Sequence, residues 1–240
     1  MRNKKSRAWV PFVLLMGLIS NRPVSAQSPE LQQRVAEIEQ TAAKNKQALA
    51  QYTWVEQVTI SLKGEEKKQE QFQVRLGPDG NPQKTSLDPP ANTSSSEGGR
   101  PRRLREHVVA KKTEEYTQYA DQMKALAQQY LPPSKERLQQ AYEQGNVTLG
   151  PAATAPNEIE LIIRNYLKPQ DTLTLVFDSM QKELIRIQIA SYMDGPKDKM
   201  NLTVRYSRLP DGSNQISNLV IDGVSKQMNV ATQNSDYQHL

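Results

Sequence analysis

Two histidines, His107 and His239, and no cysteine are what this 240-residue chain offers for proton transfer near neutral pH or for soft-metal ligation. His107 stands among arginines and lysines early in a helical stretch, where solvation is the simpler reading, and His239, next to the last residue, is expected to fray. The lack of cysteine excludes disulfides, thiolate nucleophiles and attachment of lipid at a cysteine. Zinc-type sites and nucleophile-plus-base arrangements therefore have almost no material. Ser25, Ser28 and the Ser94-Ser95-Ser96 run lie in processing or loop sequence without a partner base, and no glycine-rich phosphate loop occurs. No catalytic residue, metal ligand or cofactor site is assigned.

What remains is material for binding. Tyr52, Trp54, Val58 and Ile60 alternate with Thr53, Gln57 and Thr59, and Phe72 and Val74 alternate with Gln71, Gln73 and Arg75. Period two puts each set on one face of a strand, and the Lys63-Gly64-Glu65-Glu66 turn joins the two strands as a hairpin. Glu56 falls on the apolar face, where it is either a polar anchor inside a cavity or a residue at a sheet edge or bulge. The face itself is either ordinary core or, if the sheet is bent and only partly filled by helices, the lining of a groove for an apolar ligand. Tyr52, Trp54, Glu56, Val58, Ile60, Phe72 and Val74 form the candidate ligand-binding set. Arg100, Arg102, Arg103 and Arg105 make a basic cluster that is either solvated or a point of transient contact with an acidic membrane surface.

The elements that must position this face follow from the rest of the chain. Between Asn157 and Gln233 the pattern reads as four or five antiparallel strands in succession, with breaks at Lys168-Pro169-Gln170-Asp171, Asp178-Ser179, Asp194-Gly195-Pro196, Pro210-Asp211-Gly212 and Asp222-Gly223. Connections this short leave no room for crossover helices, which forces antiparallel pairing. Upstream, Ser28-Pro29-Glu30 opens an amphipathic helix to about Ala50, and a short strand is expected near Lys84 to Leu87. Residues 88–103, rich in Pro, Ser and Gly, read as a flexible loop. Helical spacing then carries Leu104, Val108, Glu115, Tyr119, Met123, Leu126 and Tyr130 on one stripe as far as Pro132-Pro133. Ser134 caps a second helix that Gly145 ends, and Val147 and Leu149 suggest a short strand after it.

The first residues are an address. Arg2, Lys4, Lys5 and Arg7 precede the apolar run Ala8–Ile19 and a Val24-Ser25-Ala26 end, the layout of a signal peptide cleaved after Ala26. Five basic residues and no acid lie in residues 1–26, so removing them takes the net charge from +5 to zero. The mature chain has no excess positive charge with which to neutralise phosphates, and a nucleic-acid partner is excluded. Residues 27–240 then form a single extracytoplasmic domain, periplasmic or secreted, with the loop at 88–103 and a helical insertion at 104–145.

This combination resembles a known superfamily. An exported chain, an amphipathic helix leading into Tyr52-Thr53-Trp54, long hairpins and a terminal meander ending Gln233-Asn234-Ser235-Asp236-Tyr237 are similar to the periplasmic lipoprotein carriers of the LolA type, with the related LppX and RseB proteins. The resemblance covers most of residues 28–238 and rests on architecture, with no diagnostic motif. It implies an α+β fold: a highly curved, mostly antiparallel β-sheet, an unclosed half-barrel, with helices packed on its concave face. It also implies a non-enzymatic lipid-binding protein of the kind that sorts outer-membrane lipoproteins, holding a lipid or lipid-modified partner by its acyl chains. The insertion at 104–145 departs from that pattern. The alternative is an envelope interaction or sensor protein whose core is filled and holds no ligand.

Overall fold

In the computed structural model the described residues are 40–41, 43–88, 100–152, 155–181 and 183–240, with side chains described from residue 112 onward in the first long helix. Ten strands form one open antiparallel sheet. In chain order they are β1 (Tyr52–Leu62), β2 (Glu65–Leu76), β3 (Pro82–Ser86), β4 (Val147–Pro151), β5 (Glu158–Arg164), β6 (Thr172–Asp178), β7 (Glu183–Tyr192), β8 (Lys199–Arg208), β9 (Asn214–Gly223) and β10 (Met228–His239). Their order across the sheet is β3-β2-β1-β10-β9-β8-β7-β6-β5-β4, so the sheet is not closed. The predicted α+β fold with a curved, unclosed antiparallel sheet holds. The terminal meander has six strands, one more than the upper expectation, and runs on to His239. Its last segment, Gln233 to His239, has no apolar alternation to announce it.

Register explains why one face is core. Val147, Ile163, Leu173, Ile189, Leu202, Ile221, Val230 and Ile60 stand directly opposite one another in turn, an unbroken apolar row across eight strands. A second row runs Leu149, Leu161, Leu175, Ile187, Val204, Leu219, Thr232 and Val58. The opposite face carries Thr174, Gln188, Thr203, Val220, Ala231 and Thr59 at matching positions. Because side chains alternate with period two, slipping any strand by one residue would exchange these faces. The register is fixed by burial.

Two helices cover the apolar face, α1 (Arg100–Tyr130) and α2 (Lys135–Glu143). α1 begins four residues earlier than its apolar spacing predicts, since Arg-Pro-Arg-Arg gives no period to read and a proline in the first turn costs no hydrogen bond. Ser134 caps α2, its hydroxyl accepting from the Arg137 amide, and Gly145 follows at φ +72. Tyr119, Ala120, Met123, Leu126, Ala127 and Tyr130 of α1, with Leu138 and Ala141 of α2, join the sheet residues in one buried cluster. Glu115, included in the predicted stripe, instead pairs with Lys226 in the β9–β10 turn at 2.8 Å.

α1 lies across the strands. Glu115 contacts the β9–β10 turn and Tyr130 the β5–β6 turn, where its hydroxyl donates to Asp171 at 2.6 Å. Fifteen residues of helix span about 22 Å at 1.5 Å each, against about 19 Å for the four strand spacings between those turns. Asp171 anchors the far end. Buried to 1% exposure, it accepts from the amides of Tyr166, Leu167 and Lys168 at 2.6, 2.9 and 2.7 Å as well as from Tyr130. The Tyr130 hydroxyl also meets Ser191, and its ring stacks on Tyr166 with centroids 5.8 Å apart. The Lys168–Asp171 break is thus a carboxylate cap that receives the helix.

At the near end the helix sits on Gly223. A Cβ there would lie 2.6 Å from Tyr119 Cε1 and 2.7 Å from Met123 Sδ, closer than packed atoms allow. Gly223→Ala is therefore expected to lift α1 locally and to destabilise the protein by about 1–3 kcal/mol in urea-unfolding measurements. A midpoint equal to that of the parent would show that α1 does not pack on Gly223.

Candidate functional site

β1 is where the predicted binding residues meet. It is an interior strand between β2 and β10, with Trp54 opposite Val74 and Glu56 opposite Phe72. Tyr52, Trp54, Glu56, Val58 and Ile60 share a face by alternation, so all seven candidates lie on one continuous patch, on the apolar side that bears the helices. Their environments differ. Tyr52, Trp54 and Val74 are buried, Glu56 is 9% exposed, and Val58, Ile60 and Phe72 are half-buried.

The buried end is an aromatic corner that the sequence did not announce. Between Thr53 and Val55 the ladder to β10 shifts by one residue, leaving Asp236, at φ +52, as the extra one. Aspartate tolerates this left-handed conformation better than most side chains. The inserted residue turns Tyr237, otherwise outward, onto the face of Trp54. The two rings stack with centroids 5.8 Å apart and 19° between planes. Tyr52 packs edge-on against both Tyr237, at 6.4 Å, and His239, at 5.2 Å. His239 is not frayed: it pairs with Tyr52 as the last residue of β10, and its Nε2 lies 3.1 Å from Gln51 Oε1.

Electrostatics are set by one ion pair. Glu56 is neither at an edge nor at the bulge of its own strand; its carboxylate is bonded by Lys84 of β3, two strands away. The Lys84 ammonium also stands 5.8 Å over the Phe72 ring. Burial pushes the Tyr237 phenol up to about 12, the charge of Glu56 adding in the same direction. Burial raises the Tyr52 phenol too, helped by the neighbouring Asp211. Among the described residues no three His, Asp or Glu are placed to hold a metal.

Beyond Glu56 the patch continues as a half-buried apolar strip. Tyr206, Ile216 and Leu219 of β8 and β9 join Val58 and Ile60 there, packed against the core but partly open. Burial pushes the Tyr206 phenol up to about 12. These three were not singled out in the sequence, because strand alternation shows which face a residue is on but not which part of that face a helix covers. The N-terminal helical residues 43–49 reach the same end of the sheet. Asn45 accepts from the Asn214 amide through Oδ1 at 3.1 Å and from Gln215 Nε2 through its carbonyl at 3.0 Å.

The polar face has a depression of about 230 Å³ bordered by Thr172, Thr174, Gln188, Ala190, Asn201 and Thr203, on the side of the sheet away from all seven candidates. The arginine cluster 100–105 and the signal segment 1–26 lie outside the residues whose side chains are described.

Two solved structures resemble the chain. A LolA superfamily protein from Nitrosomonas europaea is 10% identical with a TM-score of 0.41, covering 85% of this chain and 93% of its own. A DUF1329 family protein from Desulfovibrio piger is 11% identical with a TM-score of 0.37, covering 86% and 93%. No protein-family model matches the sequence, and no curated protein does.

The Glu56–Lys84 pair allows an asymmetric test. Lys84→Met leaves a nearly buried carboxylate without its partner and is expected to cost on the order of 1 kcal/mol, discounted because Lys84 is itself 43% exposed. Glu56→Leu removes the carboxylate altogether and is expected to be neutral or stabilising. Thermal melts of both variants check this; equal losses would mean that the pair itself stabilises the sheet.

Proposed function

We propose that this is an extracytoplasmic, non-enzymatic binding protein that holds an apolar ligand, lipid or the acyl chains of a lipid-modified protein, between its curved sheet and its helices. The observation that carries this reading is the half-buried strip of Val58, Ile60, Tyr206, Ile216 and Leu219, continuous with a fully buried core. Such a strip gains about 0.8 kcal/mol for each methylene it takes from water, without any polar motif. The signal-like segment with cleavage near Ala26 supports a site in the compartment where lipids and lipoproteins travel, and the arginines of 100–105 suit brief contact with an acidic membrane surface. Among the described residues no helix is long and apolar enough to cross a membrane.

A second reading has its own support. At the Trp54 corner the indole stacks on Tyr237, and Tyr52 packs against Tyr237 and His239. An envelope sensor or interaction protein with a closed core would show the same packing.

Native mass spectrometry of protein purified from an envelope fraction is expected to show bound lipid. After delipidation, a fluorescent fatty-acid analogue is expected to bind and to raise the melting temperature. Val58→Asp, which places a charge on the strip, is expected to weaken that binding at least tenfold while the protein stays folded. A delipidated protein that binds no apolar probe and melts unchanged would rule out the carrier reading in favour of the closed core.

A further inference from the structure

Nearly every buried polar side chain described here has a partner, and three atoms do not: Trp54 Nε1, Asn234 Oδ1 and Arg186 Nε. Two of the three are neighbours. Glu56 stands directly opposite Asn234, and Trp54 is two residues from Glu56 on the same strand. That makes Trp54 and Asn234 diagonal neighbours on one face, roughly 7 Å apart by sheet geometry. One is a donor with no acceptor and the other an acceptor with no donor. Each is closed to bulk water, and leaving such a group unpaired is costly.

The rest of the corner is already committed. Asn234 Nδ2 donates to the Ile216 carbonyl at 2.9 Å, and the Tyr237 hydroxyl donates to the same oxygen at 3.0 Å. Those bonds fix which end of the Asn234 amide faces inward. The indole is held by its stack on Tyr237. The Glu56 carboxylate beside them is neutralised by Lys84, so the pair supplies no spare positive charge and its carboxylate opposes a second anion.

Building on the proposed function, we infer that the Trp54–Asn234 pair receives the head of the bound amphiphile, and that this head is an uncharged group that both accepts and donates a hydrogen bond, an alcohol or a secondary amide. Its oxygen accepts from Trp54 Nε1 and its O–H or N–H donates to Asn234 Oδ1, while its chain runs along Val58 and Ile60. A free fatty acid is disfavoured twice, by Glu56 and by having no proton for Asn234 when ionised. A plain hydrocarbon satisfies neither atom.

The full chain carries a second tryptophan, Trp9, within the signal segment. A Trp9→Phe background, expressed with export, makes Trp54 the sole source of indole N–H resonance. Delipidated protein is titrated with monoolein, oleate and 1-octadecene. Monoolein is expected to bind at least fivefold more tightly than the other two and to move the Trp54 indole N–H resonance downfield, while 1-octadecene leaves it in place. Asn234→Leu is expected to erase the preference for monoolein while retaining 1-octadecene binding. If the three probes bind equally, or if all bind with the indole resonance unmoved, as an enclosed water bridging the two atoms would give, this inference falls and the apolar carrier reading stands. If none binds, both fall.

Discussion

The structure depends on the pairing of β1 with β10. These two strands meet over almost their full length, from Tyr52 opposite His239 to Leu62 opposite Met228. More than 160 residues separate the partners in sequence, so the ladder closes a long loop whose entropy cost must be met by what it brings together. It brings together the first hairpin and the meander. Without it β1, β2 and β3 would be an isolated three-stranded piece, and the apolar rows would end at Val230 and Thr232.

The same ladder sets the site. Its one irregularity, at Asp236, turns Tyr237 inward and creates the aromatic corner, while the regular part beyond it aligns Val58 and Ile60 with the core rows. α1 then divides the apolar face by where it lies. Gly223 admits it at one end and Asp171 receives it at the other, and the row between them is sealed. Beside that row the half-buried strip runs from Tyr206 of β8 through Ile216 and Leu219 of β9 to Val58 and Ile60 of β1.

Much of this architecture was legible in the residues. Period-two alternation in Tyr52–Ile60 and Leu173–Phe177 gave strands and faces, and the breaks at Asp194-Gly195-Pro196 and Pro210-Asp211-Gly212 gave antiparallel order, whereas Asp222-Gly223, expected as a turn, ends β9 in paired strand and the chain turns at Val224–Gln227. Ser134 and Gly145 marked the ends of α2 for reasons that need no tertiary context. The partner of Glu56 was not legible, since Lys84 is 28 residues away on a strand with no apolar signal. Nor was Tyr237: a bulge reverses the inward and outward positions, and Asn-Ser-Asp-Tyr carries no alternation to reverse. Asp171 looked like a turn breaker because its role depends on Tyr130, which only the folded helix brings near. The candidate patch was therefore found as a face, whereas its division into a packed corner and an open strip came from the helix placement.

The first hairpin also leaves a border unguarded by neighbours. β3 pairs with Phe72–Leu76, and Leu87 and Asp88 bond to Gln71, so among the described residues the stretch of β2 from Glu65 to Glu70 has no strand on its outer side. Its residues are Glu65, Glu66, Lys67, Lys68, Gln69 and Glu70, nearly all exposed. A bare backbone rim invites another chain to dock in register, and a dense, mixed row of charges makes that approach unfavourable. Such a rim discourages fibrous self-assembly. Among the described residues it does so without a capping element, leaving the surface chemistry of the hairpin free to vary.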